Sequence, residues 1–88
     1  MPRQQYVPIL ESLRLECRLA IERLLAEVAT AGQPAFELVR QILAALPLAS
    51  EEFCVAGNRL ANAQHYVQAG EPGAARFELR LLLRGLDR

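Results

Sequence analysis

The chain has 88 residues, room for one small core and not for two. Hydrophobic residues make up 52% and charged residues 23%, the balance of a folded globular chain rather than a disordered one. Ten Arg and no Lys stand against ten acidic residues, so the general attraction that nucleic acids and anionic membranes require is missing.

Nucleic acid is therefore not an expected partner. The all-Arg basic set, with its abundant Ala and Leu, reads as GC-rich bacterial coding. No basic stretch followed by an apolar signal core opens the chain. The longest charge-free run, residues 60–70, contains Asn62, Gln64, His65 and Gln68, too short and too polar to span a bilayer. A cytoplasmic protein is expected. Two cysteines, Cys17 and Cys54, cannot build a disulfide framework and read as reduced, buried thiols.

At about 100° per residue, Val7, Leu10, Leu13, Cys17, Ile21, Leu24, Leu25 and Val28 share one side of a helix from about Gln5 to Thr30. It stops at Ala31-Gly32-Gln33-Pro34, where Gly32 suits a left-handed cap and Pro34 the first turn of a second helix. Phe36, Val39, Leu43 and Leu46 form the apolar face of that helix, which ends at Pro47. Ser50 is placed to cap a third, with Glu51 and Glu52 in the first turn, where the helix dipole favours negative charge. Phe53, Ala56, Gly57, Leu60, Ala63 and Val67 are its expected core side, with Gly57 required by close packing. Ala69-Gly70-Glu71-Pro72 repeats the earlier turn, and a fourth helix runs from Pro72 to about Leu86.

The two turns stand 38 residues apart, and each is followed by a Phe-Glu-Leu triplet, Phe36-Glu37-Leu38 and Phe77-Glu78-Leu79. The triplets differ in register relative to their prolines. The expected fold is all-α: one domain of four helices, arranged as an antiparallel hairpin over about 5–46 and a second over about 50–86.

In the second hairpin, Ala63, Tyr66, Gly70, Ala75 and Leu79 stand at the spacing of the small, aromatic, glycine, alanine and large apolar positions of a tetratricopeptide repeat. Residues 59–83 resemble a single hairpin of that family. Arg59 occupies the position of the large aromatic that opens such repeats, and Asn62 that of an apolar residue. The resemblance implies a helical hairpin of the kind used to bind proteins. One repeat does not stack into a solenoid, so no peptide groove is implied.

Two helices carry apolar residues beyond their core stripes. Leu15 and Leu19, four apart, project opposite the main stripe of the first helix, among Glu11, Arg18, Glu22 and Arg23. In the fourth, Ala75, Leu79, Leu82 and Leu86 make one stripe, while Ala74, Phe77 and Leu81 make another and Leu83 lies between. A helix apolar nearly all round is central or at an interface. Arg76, Arg80 and Arg84 form a ladder at i, i+4 spacing, where like charges repel. An acid elsewhere in the fold, Asp87 with the C-terminal helix dipole, or an acidic partner groove is expected to offset them.

His65 is the single histidine. Cys54 lies eleven residues from it, about 16 Å along a helix, so the two cannot share a metal ion or a proton. The Lys and Gly that follow the histidine of a phosphotransfer domain are replaced by Gln68 and Ala69. No phosphate loop, nucleophile elbow or paired catalytic carboxylates appear.

The sequence thus reads as a non-enzymatic protein–protein interaction module, an adaptor, chaperone or inhibitor, with no cofactor, metal or membrane partner. Its expected mechanism is helix-face docking, with Leu79, Leu82 and Leu86, or Phe77 and Leu81, as anchors and Arg76, Arg80 and Arg84 setting orientation. One alternative is a homo-oligomer formed through Leu15 and Leu19, an architecture shared by small helical chaperones of bacterial secretion systems. The other is a regulator that reads an acidic or phosphorylated ligand through the Arg ladder.

Overall fold

The computed structural model describes residues 2–86, with side chains from residue 11 onward. The side chains of Val7 and Leu10, and Asp87 altogether, lie outside the described residues. Within them, four α-helices and one 3₁₀ turn account for the regular structure, and no strand is present. Helix α1 spans Pro2–Ala26, the 3₁₀ turn Val28–Thr30, α2 Gln33–Ala45, α3 Ser50–Gln68 and α4 Pro72–Leu86. The protein is all-α.

Consecutive helices are antiparallel because the links between them are short. Helices α1 and α2 pack as one hairpin and α3 and α4 as the other, with α2 against α3 and α1 against α4 completing a ring. The α3–α4 pairing is the most extensive. Arg14 of α1 donates from Nη1 to the carbonyl oxygen of Leu86 at 3.4 Å, so a guanidinium meets a carbonyl that a helix C-terminus leaves without a partner. At 1.5 Å per residue, α1 extends about 37 Å and α4 about 22 Å. The residues of α1 before Arg14 therefore run on past the last turn of α4.

One core fills the ring. Cys17, Ile21, Leu24 and Val28 meet Phe36, Val39, Leu43 and Leu46, and the small side chains of Ala56, Ala63 and Ala75 admit Leu60, Leu79 and Leu82 between them. The 3.6-residue period located these residues because only one stripe of each helix can face the ring. Arg40 braces α2 against α3, with Nη1 3.2 Å from Oε2 of Glu37 and Nη2 3.3 Å from Oε1 of Gln64.

Several local expectations are corrected. The first helix does not run unbroken to Thr30: Glu27 departs from helical geometry at φ −117°, and the chain tightens into the 3₁₀ turn. Gly32 is extended, at φ −94° and ψ 174°, and serves as the N-cap of α2 rather than as a left-handed cap. The helix before it has already ended in the 3₁₀ turn. Gly70 does take the left-handed conformation, at φ 77°. Its N–H donates to the Val67 carbonyl and that of Glu71 to the Tyr66 carbonyl, at 3.1 and 2.8 Å, the paired bonds of a Schellman cap.

Ser50 is not the cap of α3. Ala49 holds that position, and its carbonyl accepts from the Phe53 N–H at 2.9 Å, so Ser50 is already the first helical residue. Phe53 is exposed rather than core, because its place in the first turn of α3 sets it at the rim of the bundle. No atom lies within 4 Å of where a Cβ on Gly57 would stand, so packing does not require glycine there.

Candidate functional site

Two apolar grooves run along the outside of the bundle, one on each hairpin. The larger lies between the N-terminal half of α3 and the C-terminal half of α4 and encloses about 860 Å³. Ala56 and Leu82 form its floor, Val55, Leu81 and Leu86 its walls, and Leu48 of the α2–α3 link closes one end. Gly85 contributes no side chain and Ala56 only a methyl, which leaves the hollow between the helices open. Glu51 and Glu52 stand at its rim with Arg59. The Arg59 charge is engaged within the chain: its Nη1 lies 3.0 Å from Oε2 of Glu78, whose side chain is only 10% exposed. The free charge at this rim is therefore acidic.

The second groove, about 330 Å³, lies between α1 and α2. Leu19, Leu38 and Ile42 form its sides over a floor of Leu24, Ala20 and Ala35, and Glu16, Arg23 and Glu27 line its α1 edge. Leu15 stands one turn from Leu19 on the outward side of α1. Leu15 is 56% exposed, Leu19 49% and Leu38 51%, a degree of exposure that isolated surface leucines share but that becomes informative when they adjoin.

The residues singled out in the sequence divide sharply. Leu15 and Leu19 are at the surface, and Phe77 is the most exposed large apolar side chain described, at 61%. Leu81 and Leu86 are half-buried in the larger groove. Leu79 and Leu82 are not available as docking anchors: both are buried in the chain's own core, because the α4 stripe containing Ala75 is the one that faces the ring. Arg76, Arg80 and Arg84 are exposed and line neither groove. Among the described residues no acidic side chain forms an ion pair with any of them, and Asp87 lies outside those residues.

Sequence reasoning missed Leu38, Ile42 and Val55. A signal for the first two was present: Leu38 and Ile42 stand four apart off the core stripe of α2, the same signature that marked Leu15 and Leu19. Val55 gave none, being a single apolar residue between Cys54 and Ala56.

Cys17 is buried and Cys54 exposed, which corrects the expectation of two buried thiols. Cys54 contributes to the lining of the larger groove. Burial pushes the Cys17 thiol up to about 11, since the charged thiolate loses its hydration there. Among the described residues no group of three or more His, Cys, Asp or Glu could hold a metal ion, and no helix is long and apolar enough to cross a membrane. Comparison of the chain with protein-family models, with curated proteins and with solved structures finds no match.

Proposed function

We propose that the chain is a small cytoplasmic interaction module, an adaptor, chaperone or inhibitor, that receives a helix of a partner protein in the α3/α4 groove. The observation that carries this reading is the groove itself. Val55, Leu81 and Leu86 present apolar walls from two helices over a volume of about 860 Å³, within the range of binding clefts. Phe77 extends the Leu81 stripe by one turn. An amphipathic helix presents side chains at i, i+3 and i+4 and fits such a cleft with its apolar face. The acidic rim at Glu51 and Glu52 favours a partner helix with basic residues beside that face.

Co-purification with the tagged chain at low and high salt tests the reading. The wild type should retain a stoichiometric protein at high salt, because apolar contacts are not screened. Leu81→Asp should lose it while keeping the wild-type helical circular dichroism. Retention of the same protein by the variant, or of none by the wild type, defeats the proposal.

A second reading draws on Arg76, Arg80 and Arg84, which are exposed and without an acidic partner among the described residues. An acidic or phosphorylated ligand would be bound there by guanidinium groups, in a salt-sensitive manner abolished by Arg80→Glu.

A further inference from the structure

We infer that the helix received by the α3/α4 groove carries opposite charges along the two edges of its apolar face, acids toward α4 and bases toward α3, and that these charges fix the direction in which it lies. The inference rests on the groove reading and specifies the chemistry of the partner.

The two lips of the groove differ in sign. On the α3 side Glu51 and Glu52 stand at the rim, and neither is in an ion pair among the described residues. Arg59, the cation on that side, is held by Glu78 at 3.0 Å. On the α4 side the arginine ladder runs beside the apolar wall. Residues three apart on a helix are surface neighbours, which places Arg80 beside Phe77 and Arg84 beside Leu81, and Arg76 continues the row by one more turn. All three arginines are exposed, and among the described residues none donates a side-chain hydrogen bond or joins an ion pair. Their mutual repulsion is relieved when acids come opposite them.

A helix aligned with α4 over Leu81 and Phe77 rises about 6 Å per four residues, as α4 does. Acids four residues apart along one of its edges therefore come into register with the ladder, while bases along its other edge meet Glu51 and Glu52. Turning the helix end for end exchanges its edges and sets like charges together on both lips, so one direction is favoured over the other. A polyanionic surface fits this arrangement worse than a helix does. Nucleic acid or an anionic bilayer drawn to the arginines would bring its charge toward Glu51 and Glu52 across the groove.

Fluorescence anisotropy of a labelled amphipathic peptide of about 18 residues gives the test. The peptide has leucines on one face, glutamates four residues apart along one edge and lysines along the other. The full chain should bind it, and Leu81→Asp should weaken binding at least thirtyfold, on the order of a hot-spot loss. Glutamine in place of the peptide's glutamates should weaken binding about tenfold at low salt, and so should Arg80→Glu/Arg84→Glu in the chain. A peptide with lysine in place of those glutamates should restore affinity for the Arg80→Glu/Arg84→Glu variant, which separates lost charge from lost fold. A nitroxide at the N-terminus of the original peptide should relax amides at one end of the groove, and in a peptide with its two edges exchanged it should relax those at the other end. Glutamate and glutamine peptides bound alike, with Leu81→Asp still disruptive, overturn the inference and leave the groove reading standing. So does relaxation at the same end by both peptides. Glutamate-dependent binding that survives Leu81→Asp also overturns the inference, since the ligand then sits on the ladder alone. Failure of the wild type to bind any of these peptides defeats the inference and the groove reading together.

Discussion

Arg59 of α3 and Glu78 of α4 meet at 3.0 Å across the most extensive helix pairing in the molecule. Arg59 reaches solvent, whereas the Glu78 side chain it meets is only 10% exposed. A carboxylate removed from water is tolerated when paired and costly when not. Arg59→Ala should therefore destabilise the fold by about 2 kcal/mol, less than a fully buried pair because Arg59 reaches solvent. Arg59→Met with Glu78→Leu should recover most of that loss. Urea unfolding of the two variants decides between an ion pair that stabilises and one that is merely tolerated.

The two stripes of α4 should separate cleanly in a stability assay. Leu79→Ala opens a cavity in a fully buried site and should cost about 2–5 kcal/mol. Phe77→Ala removes a side chain that is 61% exposed and should change stability by no more than about 0.5 kcal/mol. Equal losses would mean that Phe77 is covered in the isolated chain.

The glycines of α3 and its cap should respond in opposite directions. Gly57→Ala adds a methyl where nothing lies within 4 Å and should raise stability by about 0.5–1 kcal/mol through helix propensity. Gly70→Ala forces a Cβ into a left-handed conformation at φ 77° and should lower it by about 1–2 kcal/mol. Thermal melts of the two variants check both signs.

The cysteines should differ in reactivity and in their effect on pH stability. A thiol reagent should label Cys54 at once in the native protein and Cys17 only on unfolding, since Cys17 is buried and Cys54 exposed. The Cys17 thiol titrates at 9.0 when exposed and at about 11 when buried. Its folded value is the higher one, so its contribution is fully present below pH 9 and is lost as pH rises to about 11. The loss is on the order of 2 kcal/mol. The fall in urea midpoint over that interval should be shallower in Cys17→Ala.

Helix existence and the core stripes were legible in the sequence because burial on one side of a helix imposes a 3.6-residue period that single residues report directly. The turns were less so. Ala31-Gly32-Gln33-Pro34 and Ala69-Gly70-Glu71-Pro72 share the same pattern, yet Gly32 is extended and Gly70 left-handed. The difference lies in how the preceding helix ends, in a 3₁₀ turn in one case and a full Schellman cap in the other, and this is set by hydrogen bonds that the four letters do not encode. The inner and outer stripes of α4 were both visible, but which faced the core was not. That choice depends on the direction from which α3 and α1 approach. The larger groove was hidden for the same reason: Leu81 lies far from Leu48 and Val55 in sequence and joins them only through packing.

The short links between antiparallel helices also bear on how the molecule assembles. Three of the four helix pairings join segments adjacent in the chain, whereas α1 against α4 brings Arg14 to Leu86. Loop closure over that span is the entropically costly step, so the two hairpins should form early and their closure into a ring late. Helices α3 and α4, with the largest shared contact and a left-handed glycine already turning the chain between them, are the natural nucleus. Native-state hydrogen exchange should then find its slowest amides in the middle of that hairpin.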